Sequence, residues 1–157
     1  MKKFPSLLVS LGLAYGMAAV GSYFTMSEIV GWYSTLAKSP LNPPNWVFGP
    51  VWTILYTLMA VAAWRVYEKR RASRRARGAL GLYVLQLAVN TLWSLIFFGL
   101  HAPAAAFVVL VVLWVLIVPT AASFSKIDKT SAWLLAPYIA WVSFAGYLNL
   151  MVALLNR

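Results

Sequence analysis

Polar and apolar positions along this chain come in blocks and are not interleaved. Asp, Glu, Lys and Arg are missing from residues 4–27, 39–64, 78–125 and 130–156. A helix needs about 20 apolar residues to cross about 30 Å of hydrocarbon, so the third block is long enough for two spans. Gly99-Leu100-His101-Ala102-Pro103 provides its break, because proline disfavours helix at the residue before it. Barrel strands would alternate polar and apolar residues, and Phe107 to Val118 does not. The pattern predicts an all-α integral membrane bundle in a single domain over 1–157, with five transmembrane helices near 6–26, 47–67, 79–100, 103–124 and 132–155.

The first span invites comparison with a cleaved secretory signal, since Lys2 and Lys3 precede it and Ala18, Ala19 and Gly21 lie near its end. Its apolar run exceeds the usual core of about 7–15 residues, so a retained membrane helix is expected. Gly12 and Gly16 form a GxxxG pair that lets another helix, from this chain or a second copy, approach closely.

Charge then gives the expected orientation. Lys2, Lys3, Arg65, Lys69, Arg70, Arg71, Arg74, Arg75, Arg77, Lys126 and Lys129 fall on one side of the bundle, leaving Lys38 and Arg157 on the other. The positive-inside rule then predicts a cytoplasmic N-terminus and a C-terminus outside. The run Lys69 to Arg77 reads first as this topology signal and second as a contact for anionic headgroups. Nucleic acid is not an expected partner, despite a formal net charge of +10.

Composition narrows the chemistry further. The chain is 62% hydrophobic and 10% charged, far from a soluble domain at about 25% charged. The absence of cysteine excludes disulfides, thiolate nucleophiles and Cys-type metal sites, and one histidine with three acids leaves no expected metal site. No acid falls within a span, which weighs against a proton-coupled pump. His101, in a tight turn without a nearby acid, reads as a surface histidine. No conventional catalytic constellation appears.

Residues 27–46 differ from the other connections. Trp32, Tyr33 and Leu36 suit a short interfacial helix, and Pro40, Pro43 and Pro44 impose a stiff extended path into Trp46. Such a loop can serve as a lid over the bundle or as part of an aromatic belt. Tyr33 fits the lid better, and Trp46 fits either. Aromatic and polar residues also form stripes at helical spacing: Trp52 and Tyr56 on the second helix, Gln86, Asn90, Trp93 and Phe97 on the third, and Tyr138, Trp141, Ala145 and Leu148 on the fifth. At 1.5 Å rise per residue, Trp52 and Trp93 lie about 8 and about 10 Å below the same membrane boundary. A cavity beneath the proline loop is the economical inference. Unpaired amides are costly in hydrocarbon, so Gln86 and Asn90 must either bond between helices or face a ligand. Tyr15 and Asn149 are assigned to packing.

Taken in order, these clusters resemble the translocator protein/tryptophan-rich sensory protein (TspO/MBR) family. The resemblance rests on Trp32-Tyr33, Leu36, Lys38, Pro43-Pro44, Trp46, Phe48-Gly49-Pro50 and Trp52. It continues through Gly81-Leu82-Tyr83, Gln86-Leu87-Ala88, Asn90, Trp93 and Phe97-Phe98-Gly99, then Ala136-Pro137-Tyr138, Trp141, Phe144-Ala145 and Leu148-Asn149. It implies a five-helix bundle, often a homodimer, that binds porphyrins including haem and protoporphyrin, and isoquinoline carboxamide-type ligands. The implied pocket lies within one subunit under the first loop, lined by Tyr33, Pro43, Trp52, Tyr56, Asn90, Trp93, Ser94, Phe97, Trp141, Ala145 and Leu148.

The resemblance implies a receptor or regulator of tetrapyrroles that requires no cofactor, with porphyrin as ligand or substrate. Some members are associated with light- and oxygen-dependent porphyrin breakdown, for which Trp52 and Trp141 would be the participants. A transporter of tetrapyrroles or other small lipophilic molecules is the alternative. The expected location is the bacterial plasma membrane. Two features depart from the family pattern. Lys38-Ser39-Pro40 shifts the usual Lys-Pro by one position, and the Tyr-containing sterol motif is absent around Tyr147. Lys38 is the only basic candidate for pairing with porphyrin propionates near the loop.

Overall fold

The computed structural model describes residues 3–157, the side chain of Lys3 excepted, so Lys2, counted above among the basic residues, lies outside them. The described residues are predominantly helical and include no strand. In order, the elements are α1 (Lys3–Val30), α2 (Trp32–Thr35), a 3-10 turn (Asn45–Val47), α3 (Phe48–Glu68), α4 (Arg75–Ser94), a π-helical turn (Leu95–Gly99), α5 (Pro103–Ser125), α6 (Lys129–Leu134) and α7 (Ala136–Leu155). Five segments are long and apolar enough to cross a membrane, from Phe4–Val30 to Lys129–Leu155. Helices are the form that satisfies every backbone polar group internally where no water is available.

Local chemistry sets several boundaries. Pro103 opens α5 at a position where its missing N–H costs nothing. Pro137, just inside α7, cannot continue the hydrogen-bond ladder from α6, and the last span is divided there. His101 carries the turn between α4 and α5 with φ of 50°, the left-handed region that most residues avoid.

In the bundle α1 packs on α3 and α4, α5 packs on α4 and α7, and α6 bridges α5 and α3. The larger core lies among α3, α4, α5 and α7 and includes Met59, Tyr83, Leu87, Leu113, Ile117, Phe124 and Tyr138. A smaller aromatic core, with Tyr33, Phe97 and Phe98, lies under the proline loop. α1 is the least covered span. Gly12 and Gly16 leave open space around a built Cβ, so no described residue comes within 4 Å there; the close approach is at Gly21, where a Cβ would sit 3.2 Å from Ser94 Oγ.

The end of the bundle remote from the proline loop is locked by Asp128. Its carboxylate accepts from Arg65 Nε at 2.7 Å, Lys69 Nζ at 2.7 Å and Ser131 Oγ at 2.6 Å, and from Ser131 N at 3.3 Å as the N-cap of α6. These donors, Arg65 first, hold the Asp128 carboxyl well below the usual carboxylate range, although burial opposes the shift. Arg65 therefore ties α3 to the start of the last span.

Candidate functional site: an aromatic cavity beneath the proline loop

The loop after α1 is fixed from several directions. The Tyr33 hydroxyl donates to Asn42 Oδ1 at 2.9 Å, and Ser39 Oγ pairs with Tyr147 OH at 2.9 Å. Asn156 acts as a clip, its Oδ1 accepting from Ala37 N and its Nδ2 donating to Ala37 O, both at 2.9 Å. Burial raises the pKa of Tyr33, an effect the Asn42 contact partly offsets, so the hydroxyl remains a donor. Tyr33 rests on Phe97 and Phe98 with ring centroids 6.1 and 5.8 Å away. The π-helical turn makes this possible, because its widened register turns two consecutive phenylalanines inward.

His101 has a partner that sequence order concealed. Its Nε2 lies 2.8 Å from Glu28 Oε2, and its ring stacks on Trp32 at 4.3 Å. The expectation of a histidine without a nearby acid is corrected: Glu28, distant in sequence, reaches it from the last turns of α1. Together Glu28, Trp32 and His101 join α1, α2 and the α4–α5 turn.

Beneath this cap lies a cavity of about 590 Å³, within the range of about 300–1,000 Å³ that holds small molecules. Of the residues the sequence nominated, Tyr33, Trp52, Tyr56, Asn90, Trp93, Ser94, Phe97, Ala145 and Leu148 line it. Pro43 and Trp141 are not in the wall. Trp141 is edge-on to the wall residue Phe48 at 5.9 Å, and its indole Nε1 is buried without a hydrogen-bond partner among the described residues. Pro43 belongs to the stiff limb of the loop, whose wall contribution comes instead from Asn45 and Trp46.

The polar groups in the wall differ in how fully they are engaged. Asn149, assigned above to packing, lines the cavity, accepts from Trp93 Nε1 at 2.9 Å and donates to Pro103 O at 2.7 Å. Trp93 is thereby held in the wall, stacked on Phe97 at 5.4 Å. Gln86 accepts from Tyr138 OH at 2.8 Å and lies outside the cavity, which makes it an interhelical tie. Asn90 donates to Tyr56 OH at 2.8 Å; its carbonyl Oδ1 accepts no hydrogen bond among the described residues. It is the buried amide with capacity left for a guest.

One wall was not foreseen. Tyr15, Ala18, Ala19, Ser22, Thr25, Met26 and Ile29 of α1 all line the cavity. Tyr15, Ala19, Ser22 and Met26 are exposed, as are Trp46 in the 3-10 turn and Gly49 and Thr53 at the start of α3, so the cavity opens sideways between α1 and α3. Tyr15 closes the lower edge of this mouth through its hydroxyl, 2.7 Å from Thr57 Oγ1 and 3.1 Å from Thr53 O. Among the described residues the wall contains no Lys, Arg, His, Asp or Glu. Lys38, the cation expected to meet propionates, is absent from it and donates to the carbonyls of Tyr33 and Leu36 at 2.6 and 2.8 Å. Burial lowers its pKa. No three acidic or histidine side chains gather into a metal site among the described residues.

Residues 8–155 match the TspO/MBR family. The chain belongs to this family. It is 39% identical to the tryptophan-rich protein TspO of Chlorobaculum tepidum over 99% of this chain and 98% of that one. It is 41% identical to protein CrtK of Rhodobacter capsulatus, over 88% and 84% of the two chains. With the translocator protein of Homo sapiens the identity is 37%, over 85% of this chain and 79% of the relative. TspO/MBR membership and the five long apolar helices together make this a multi-pass membrane protein.

Proposed function

We propose that this TspO/MBR protein is a membrane receptor and regulator that binds porphyrins such as haem or protoporphyrin, and isoquinoline carboxamide-type ligands, in the cavity beneath the proline loop. The observation that carries the reading is the wall itself: broad indole, phenol and phenyl faces around an uncharged space, with one half-engaged amide at Asn90. Aromatic pairing contributes about 0.5–1.5 kcal/mol per pair beyond area burial, which favours a flat conjugated guest over a flexible chain. With no cation in the wall, the propionates of a porphyrin are expected to project through the side mouth towards the headgroup layer. The basic end would face the cytoplasm, in a bacterial plasma membrane, and the open face of α1 around Gly12 and Gly16 suits a second copy of the chain.

A dark titration of the purified protein with protoporphyrin, followed by tryptophan quenching, tests binding. Saturable quenching that an isoquinoline carboxamide reverses is the expected result; linear, non-competable quenching would overturn the proposal. Illuminating the same samples in air addresses light-dependent porphyrin loss. Trp52 at the wall is the expected first participant and Trp141, edge-on to Phe48, the second. Trp52→Phe should slow the loss of bound porphyrin more than Trp141→Phe does.

A further inference from the structure

A second recess, of about 610 Å³, lies at the opposite end of the bundle, between the start of α4 and the end of α5. Arg74, Arg75 and Lys126 line it with Ser123, over a floor of Gly78, Ala79 and Leu82. None of the three cations has an ion-pair partner among the described residues. The chain has only three acids, and each is engaged elsewhere. Asp128 is held by Arg65 and Lys69, Glu28 faces His101 at the far end, and Glu68 accepts from Ser6 at 2.7 Å. The neighbouring Arg70 differs, since it lies over the Tyr67 ring at 3.5 Å and donates to Tyr67 O. The recess is thus a pocket of unneutralised positive charge at the positive end of the α4 dipole.

Its position narrows the choice of anion. It straddles the first residues of one membrane-spanning segment, Arg75–Gly99, and the last of the next, Pro103–Ser125. That is the level at which a bilayer presents phosphate groups. Ala79 and Leu82 continue the recess with apolar surface towards the hydrocarbon, while a Cβ built on Gly78 meets nothing within 4 Å. We infer that this recess is a phosphate seat occupied by the headgroup of an anionic phospholipid, with Arg74, Arg75 and Lys126 neutralising the phosphate, Ser123 donating a hydrogen bond to it and Gly78 leaving room for it. The site is separate from the aromatic cavity and does not depend on what that cavity binds.

The full-length protein in nanodiscs tests this, with phosphatidylcholine alone compared with phosphatidylcholine plus phosphatidylglycerol. Phosphatidylglycerol should raise the melting temperature and remain bound in native mass spectrometry. Each lining cation removed, as in Arg75→Gln or Lys126→Gln, should weaken its retention about fivefold, the effect of roughly one basic residue at an anionic membrane surface. Arg71→Gln with Arg77→Gln removes the same charge as the lining pair Arg75→Gln with Lys126→Gln, but from residues outside the recess, and should leave retention nearly intact. Gly78→Leu keeps every charge but fills the seat, and should weaken retention like a cation deletion. Equal losses from the lining and non-lining pairs, or full retention in Gly78→Leu, would overturn the inference in favour of diffuse surface attraction. Stabilisation by inorganic phosphate in lipid-free detergent, with no response to phosphatidylglycerol, would assign the seat to a soluble phosphate and overturn the lipid assignment.

Discussion

Replacing Asp128 with Asn should loosen the end of the bundle remote from the ligand cavity, by an amount the geometry constrains. The carboxylate side chain is 7% exposed, whereas Arg65 and Lys69 are 36% and 47% exposed. An asparagine whose oxygen takes the place of Oδ2 keeps Arg65 Nε and the Ser131 cap, but it loses the charge and turns an NH2 group, in place of Oδ1, towards the cationic donors Lys69 Nζ and Arg65 Nη2. Breaking a fully buried pair costs about 3–5 kcal/mol, while an exposed pair contributes about 0–1 kcal/mol. Here the cations left behind recover water, so an intermediate cost of about 2 kcal/mol is expected for Asp128→Asn. At about 2–4 °C per kcal/mol for a chain of this size, melting in detergent should fall by roughly 4–8 °C. Arg65→Met combined with Asp128→Asn should cost less than the sum of the two single changes, because the pair is coupled. The pH dependence has a definite sign. A carboxyl whose pKa is depressed by folding contributes fully above its unfolded value of about 3.9 and loses that contribution as pH falls towards the folded value. Wild-type melting should therefore be flat from neutrality to about pH 5 and decline below it, and the decline should be shallower in Asp128→Asn. A melting change within about 1 °C, or an unaltered acid limb, would refute the reasoning.

Two further substitutions probe the interior. Asn90→Leu removes the half-engaged amide and should weaken binding of protoporphyrin by about 5–10-fold, the equivalent of one hydrogen bond to a guest, in a dark quenching titration. Tyr83 is almost fully buried and its hydroxyl finds no partner among the described residues. Tyr83→Phe should therefore stabilise the bundle, by about 1 kcal/mol in thermal melting; a loss of stability would mean that the hydroxyl has a partner in the membrane.

The spans were legible because charge is confined to the connections, and the stripes on α3, α4 and α7 were legible because large aromatic residues recur at helical spacing. What spacing cannot give is depth behind a wall. Trp141 shares a face with Ala145 and Leu148, yet it packs edge-on against the wall residue Phe48 and does not itself line the cavity. The α1 wall left little trace because it is built largely from Ala18, Ala19, Ser22 and Thr25, small residues that in sequence resemble the end of a signal peptide. Its one aromatic, Tyr15, reads as packing until α3 is seen opposite. The Glu28–His101 contact and the Asn156 clip on Ala37 join residues far apart in sequence, which only the folded chain brings together. Lys38 lies in the expected loop, but its side chain curls back over Tyr33, 4.7 Å from the ring centroid, rather than towards the cavity.

The most direct test of the central claim fills the space without altering the fold. Ala145 lies in the cavity wall and is only partly buried, so Ala145→Trp places an indole where the guest is expected to stack. Protoporphyrin affinity, followed by quenching in the dark, should fall at least about tenfold, the equivalent of about 1.4 kcal/mol, while the melting temperature without ligand stays close to wild type. Undiminished affinity in a folded Ala145→Trp protein would show that the pigment binds elsewhere.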